Sequence, residues 1–242
     1  MKNMAYFFAL LLSFNSIAGA APTDLRVISV RGEGELKVAP DVAIVSLSVE
    51  TKAKDAKAAQ KANAEEMARV NKVLRNDFSI DAKDIQTDGF SMGQDYRFEK
   101  DGRRVFVGFA GHHSLTVRMK KLDRVGELMD KLPSAGAGEA RAVELRGVSF
   151  DSDKRRDHET EVLGIAMANA KDRATALAGF AKKGLKGVLR ISDSAVQYQP
   201  YAAPYAARSK NMAMADAESA PTEISAGQIT INANVAIDYE MD

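Results

Sequence analysis

The chain has 242 residues, with 34 Lys and Arg against 33 Asp and Glu, and it contains no cysteine. The missing thiols exclude disulfides, Cys-ligated zinc and thiolate catalysis. The balanced and interspersed charge argues against a nucleic-acid partner.

The first 20 residues have the three parts of an export signal. Lys2 is the charged start, residues 4–12 are an apolar run, and small side chains occupy the exit. The sequence therefore predicts cleavage between Ala20 and Ala21 and release into the periplasm. An uncleaved membrane anchor is the weaker alternative, because a helix needs roughly 20 apolar residues to cross a bilayer and this run is shorter.

Apolar patterns of period two and period 3.6 divide the rest of the chain into strands and helices. Strands are predicted over residues 26–38, 42–49, 85–97, 103–119, 142–150, 187–198 and 228–241. Helices are predicted over residues 53–78, 122–132 and 155–181. Pro40 and Asp41 form the corner of an opening hairpin, and Asp101-Gly102 closes a long second hairpin, because Asp-Gly favours positive φ angles. A Pro/Ala/Ser/Met loop over 199–222 is expected to be flexible.

The order of these elements predicts an α+β fold. Strands and helices follow as βαββαβα and then ββ, so hairpins alternate with helical crossovers, and three helices should pack on one face of a mostly antiparallel sheet. A doubly wound parallel sheet would lack the hairpins. We expect residues 21–242 to form a single domain in which the second hairpin is long and central.

Two patterns that resemble ligand sites have simpler structural explanations. Gly32 and Gly34 are followed by a strand rather than a helix, so they favour a bulge or a close backbone approach over dinucleotide binding. His112 and His113 are adjacent on a strand, and adjacent strand residues point to opposite faces, so they should not bind one metal ion together. We expect no cofactor and no metal at either place.

One polar cluster carries the enzymatic alternative. Asp151, Asp153, Asp157 and His158 gather where the third helix begins, and they could hold a divalent cation or perform acid–base chemistry if they converged. The competing interpretation is that Ser152 or Asp153 caps the helix while acidic residues oppose its dipole. No nucleophile elbow or metalloprotease motif is present, so we expect no catalysis.

The second hairpin is longer than strands that stay inside one compact domain, so part of it should project. A projecting hairpin leaves an open strand edge, which proteins either protect with charge or use for pairing with another chain. The tip has charged residues, and its apolar residues predict a closed homo-oligomer. The candidate self-association residues are Tyr96, Phe98, Val105 and Phe106, with Phe90 and Phe109 adding apolar area.

The loop over 199–222 contains two methionines outside any apolar periodicity, Met212 and Met214. We expect them to be oxidised before the helical methionines, because exposure sets the order of sulfoxide formation. Docking of this loop on a neighbouring subunit is an alternative.

Four segments together resemble the SIMPL-domain family of YggE-like exported bacterial proteins. They are VISVRGEGELKVAPDVAIVSLSVET, DIQTDGFSM, AARSKNMAMA and ISAGQITINANVAIDYEM. The similarity covers essentially the whole mature chain and implies one SIMPL domain. It also implies a periplasmic or outer-membrane-associated location and a role in defence against oxidative stress, with no catalytic residues to transfer.

Taken with the residues, this resemblance predicts a non-enzymatic periplasmic protein that self-associates and supports tolerance of oxidative or envelope stress. Two alternatives stay open. One is a module that binds a small ligand or peptide on the exposed sheet, and the other is a hydrolase or metal site at Asp151, Asp153 and His158.

Overall fold

The computed structural model describes residues 26–134, 141–199, 201, 202, 222 and 224–242. The helices are α1 (Ala56–Lys72), α2 (Val125–Ser134) and α3 (Arg155–Phe180). The strands are β1 (Val27–Val38), β2 (Val42–Ala53), β3 (Ile85–Phe98), β4 (Arg104–Met119), β5 (Arg141–Asp151), β6 (Leu185–Asp193), β7 (Gln197–Gln199), β8 (Tyr201–Ala202) and β9 (Ile229–Met241). Every pairing is antiparallel, which confirms the predicted α+β fold.

The strands form two sheets rather than one. Sheet A has the order β1-β9-β6, with β7 also beside β9, and sheet B has the order β3-β4-β2-β5-β8. The predicted opening hairpin is therefore wrong, because β1 pairs with β9 along its whole length while β2 lies between β4 and β5. The Pro40-Asp41 corner carries the chain between the sheets, and the Asp41 amide donates to the Asp151 carbonyl at 3.1 Å.

The first core lies between sheet B and helices α1 and α2. Asp55 starts α1 by accepting a hydrogen bond from the Ala58 amide at 2.8 Å, a standard N-cap. The predicted stripe through Met67 and Val70 is buried against β2 and β4, as expected for an amphipathic helix. Glu66 is buried with them, and the apolar pattern did not indicate it.

The second core lies between α3 and sheet A. A column of alanines on α3 is buried against β1 and β9: Ala166, Ala170, Ala174 and Ala178. Gly32 and Gly34 of β1 make this close packing possible, since a Cβ on Gly32 would lie 2.0 Å from the Ala166 carbonyl oxygen. The register of β1 is unbroken, so the two glycines permit a close approach and not a bulge.

Helix α3 packs on β1 and β9 and scarcely contacts β6. The edge strand β6 is therefore exposed along nearly all its length. Of the helices in the described ranges, none is both long and apolar enough to cross a bilayer.

Candidate functional site

The candidate self-association residues lie on a ribbon that extends beyond sheet B. Strand β4 pairs with β2 only as far as Phe109, opposite Ala53, whereas its pairing with β3 continues to Phe98 and Arg104. The end of this hairpin is thus two-stranded. Gly108 lets the ribbon pass close to the end of β2. A Cβ at this position would lie 2.3 Å from the Ala53 carbonyl oxygen, and the φ angle of 150° is one that other residues rarely adopt.

Aromatic side chains cover one face of the projecting ribbon. Tyr96 lies opposite Phe106, with ring centroids 5.7 Å apart in an edge-to-face arrangement, and Phe106 makes a similar contact with Phe109 at 5.6 Å. The Arg104 guanidinium lies 3.6 Å from the centre of the Tyr96 ring. Phe98 pairs with Arg104 on this same face and is 72% exposed.

Val105 lies on the opposite face of the ribbon, where it pairs with Arg97. The four predicted residues therefore do not form one surface: Tyr96, Phe98 and Phe106 lie together, and Val105 is separated from them. This division follows from strand alternation, because neighbouring side chains point to opposite faces. We define Tyr96, Phe98, Arg104 and Phe106 as the aromatic face.

The charged residues of the tip pair locally. Arg97 contacts Glu99 at 2.9 Å and Arg103 contacts Asp101 at 2.6 Å, both between neighbours on the hairpin. Gly102 closes the turn with a φ of 84°. Because these acidic groups already have basic partners, the exposed aromatic side chains remain the chemically distinct feature of the tip. An exposed aromatic group rimmed by charge is typical of protein–protein contact surfaces.

The residues of the enzymatic alternative lie in one corner but point to different partners. Asp151 pairs with Arg155 at 3.0 Å, while Asp153 pairs with Arg118 and with Lys120. Hydrogen bonds from Lys120 and Arg118 hold the pKa of Asp153 below its ordinary value. Within the described ranges, no group of three or more His, Asp or Glu side chains is placed to hold a metal ion.

The same corner corrects the predicted start of α3. Neither Ser152 nor Asp153 is the N-cap; Lys154 occupies that position without a side-chain capping bond. The Asp41 carboxylate instead accepts hydrogen bonds from the Ser152 hydroxyl at 3.3 Å and from the Asp153 amide at 2.7 Å. His158 Nε2 lies 3.2 Å from the Ser152 oxygen, which is buried and tied to Asp41, an arrangement suited to fixing the junction between the sheets.

Tyr198 borders this junction. The Arg155 guanidinium lies 4.1 Å from the centre of its ring. Burial, followed by the negative charge of Asp151, raises the pKa of Tyr198 to about 12, so the phenol stays protonated even near pH 10, where an exposed tyrosine is half ionised.

A cavity of about 370 Å³ lies on the outer face of sheet B, between this corner and the start of β3. Its charged lining comes from Lys83, Asp84, Arg118 and Asp151, and Ile44 provides an apolar wall. Ile44 is the one large apolar side chain of this lining, whereas ligand pockets are usually lined mostly by apolar groups.

His112 and His113 lie on opposite faces of β4. His112 is exposed, with Nδ1 3.9 Å from Glu50. His113 faces α1, where Nδ1 lies 3.2 Å from the Asn63 amide oxygen and Nε2 lies 3.2 Å from the Thr87 hydroxyl. This ring connects α1 to β3 through hydrogen bonds, and burial lowers its pKa below the ordinary value.

The lowered pKa of His113 predicts a pH dependence of stability. Below about pH 6.5 the His113 ring binds a proton in the unfolded chain but stays neutral in the folded protein. The free energy of unfolding should therefore fall as the pH drops from about 6.5 toward the folded pKa. Because the ring is partly open to solvent, solvent screening should keep this loss small. Urea unfolding between about pH 5 and 7 measures it.

His113→Gln should flatten that dependence, while His112→Gln, at the neighbouring exposed position, should leave it unchanged. Equal slopes for wild type and His113→Gln would assign the pH dependence to other groups.

The remaining sequence-predicted positions lie outside the described residues. These are the cleavage pair Ala20 and Ala21 and the oxidation candidates Met212 and Met214. Within the described part, the sequence also missed the stacking of Arg104 on Tyr96. Tyr96 pairs with Phe106, and Arg104 lies two residues before Phe106 on the same strand. This diagonal placement of a cation and a ring across the hairpin is the signal that could have indicated the contact.

Comparisons with known proteins agree on one family. The family model described as "SIMPL: Protein of unknown function (DUF541)" matches residues 28–239. A "26 kDa periplasmic immunogenic protein" of Brucella melitensis is 30% identical over 218 residues, covering 88% of this chain and 84% of that protein, and its Brucella abortus counterpart matches equally. The "Uncharacterized protein YggE" of Escherichia coli strain K12 is 26% identical over 245 residues, covering 100% of this chain and 92% of that protein.

Proposed function

The chain belongs to the SIMPL family, and from that premise we propose that it is a non-enzymatic protein of the periplasm. In this proposal it self-associates through the aromatic face of its projecting hairpin and supports tolerance of oxidative or envelope stress. The periplasmic location is supported by the predicted export signal and by the name of the Brucella relatives.

The observation that carries self-association is the exposure of the aromatic face. Phe98 is 72% exposed and Phe106 is 48% exposed, on the two-stranded part of the hairpin. Burying such a ring contributes about 2 kcal/mol. The rings stay in water in a monomer, whereas two symmetric ribbons would bury them against each other.

Replacing Phe98 and Phe106 by threonine tests the proposal. Threonine keeps a strand-favouring side chain, and both positions are exposed, so the variant should fold like the wild type. Losing two buried rings should raise the dissociation constant by roughly 100-fold or more, which shifts the protein from oligomer to monomer. Light scattering coupled to gel filtration, over a series of concentrations, measures the change.

Val105→Thr is the matched control, because Val105 is exposed on the opposite face of the same ribbon. It should assemble like the wild type. A wild type that stays monomeric at tens of micromolar, or a control that dissociates as readily as the double variant, contradicts the role of the aromatic face.

The same variants connect assembly to the stress role. In cells that lack the gene, the wild type and Val105→Thr should restore survival under peroxide, whereas the Phe98/Phe106 variant should not. Survival that is independent of the gene rejects the stress role and leaves the self-association result unaffected.

A further inference from the structure

The stretch that runs from the end of α3 through β6 is strongly basic for this chain. Residues 171–191 contain six Lys or Arg and one Asp, whereas the whole chain has 34 basic against 33 acidic residues. The basic residues are Lys171, Arg173, Lys182, Lys183, Lys186 and Arg190. The excess of positive charge is therefore concentrated in one continuous stretch, whose strand β6 belongs to sheet A, whereas the hairpin belongs to sheet B.

The same stretch exposes large apolar side chains. Phe180 is 85% exposed, which makes it the most exposed large apolar residue of the described chain. The others are Leu177, Val188, Leu189 and Ile191. Val188, Leu189 and Ile191 are exposed because β6 lies at the edge of sheet A, while α3 packs over β1 and β9.

A tight turn holds Phe180 beside the lysines. The amides of Ala181, Lys182 and Lys183 donate to the carbonyls of Leu177, Gly179 and Ala178 at 2.9–3.1 Å. Lys182 adopts a left-handed conformation with a φ of 55°, as at the end of many helices. These hydrogen bonds hold the backbone of Phe180, Lys182 and Lys183 in one turn, so the three side chains start close together.

Neighbouring carboxylates neutralise part of this charge. Lys186 pairs with Glu240 at 3.3 Å and Arg190 pairs with Asp238 at 2.9 Å, both from β9, and the Asp242 side chain lies beside Gly184. Lys182 and Lys183 have no carboxylate within salt-bridge distance among the described residues. These two lysines and Phe180 form what we call the basic turn.

We propose that the basic turn docks on an anionic lipid surface. An exposed ring flanked by lysines matches the membrane interface, where apolar groups enter below the headgroups and ammonium groups contact lipid phosphates. A DNA duplex, whose bases are stacked inside, would use the cations and leave the Phe180 ring in water. This contact is separate from the hairpin and goes beyond the proposed function.

Sedimentation of the mature protein with vesicles tests the proposal. Vesicles of phosphatidylcholine alone should bind little, and vesicles with about 30% phosphatidylglycerol should bind the protein in a manner that weakens with added salt. Lys182→Glu/Lys183→Glu should lower the partition coefficient at least ~10-fold, and Phe180→Ser, which keeps every charge, should lower it about 5-fold.

Lys57→Glu/Lys61→Glu is the charge-matched control, because both lysines are exposed on α1 and the net charge changes equally. It should bind anionic vesicles like the wild type. The proposal is overturned if the control loses binding as the basic-turn variant does, if Phe180→Ser binds unchanged, or if the protein binds a DNA duplex and no vesicle.

Discussion

Replacing Arg69 by methionine is expected to lower the free energy of unfolding by about 3 kcal/mol or more, although Arg69 lies partly at the surface. Its partner Glu66 is completely buried in the first core and forms an ion pair with Arg69. The second carboxylate oxygen of Glu66 has no hydrogen-bond partner among the described residues. Without Arg69 the buried charge would lack its compensating cation, and desolvation of an unpaired carboxylate is costly.

The reverse change should cost much less. In Glu66→Met the buried charge is removed, and the Arg69 side chain, which is 39% exposed, can turn into water. We expect a loss below about 1 kcal/mol, and the double variant should recover most of the stability lost in Arg69→Met. Urea unfolding of the four proteins measures this cycle. A loss in Arg69→Met no larger than in Glu66→Met would show that the carboxylate is not stranded in the core.

Glu66 also shows where prediction from the sequence ended. The apolar stripe of α1 was recognised from Met67 and Val70, and both are buried. Glu66 precedes Met67 on the same helical face, but a charged residue is read as solvent-exposed unless its partner is known. That partner, Arg69, lies three residues further along the helix, and ion pairs at this spacing are usually exposed on the helix surface.

Strand alternation predicted faces but not neighbours. It located β9 to within one residue and the long hairpin with its Gly102 turn. It could not show that β1 pairs with β9 rather than β2, because pairing partners 191 to 213 positions apart leave no local pattern. The division into two sheets follows from that pairing and was missed with it.

The candidate site was predictable in part. Strand length and composition indicated four candidate residues on the hairpin, and the structure places the three aromatic ones on one face. The sequence did not indicate the basic turn, because a helical pattern does not show which strands the helix will cover. Its exposure depends on α3 lying over β1, a consequence of the close approach at Gly32 and Gly34.

That close approach carries the second large prediction, a loss of about 3 kcal/mol in Gly32→Ala. A Cβ at this position would lie 2.0 Å from the Ala166 carbonyl oxygen and 2.7 Å from the Ala170 Cβ. Neither neighbour is the end of a flexible side chain, so α3 has to move outward as a unit. Moving it opens the buried alanine column, and a close-packed core loses contacts along its whole length.

Gly164→Ala is the matched control, on α3 itself, where the added methyl group meets nothing within 4 Å. Alanine favours helix over glycine, so this variant should gain about 0.5–1 kcal/mol. Thermal and urea unfolding of both variants measures the contrast. If the free energy of unfolding of Gly32→Ala lies within about 0.5 kcal/mol of the wild-type value, α3 can shift on sheet A without losing its packing. The close contact with β1 would then not be what keeps α3 away from β6.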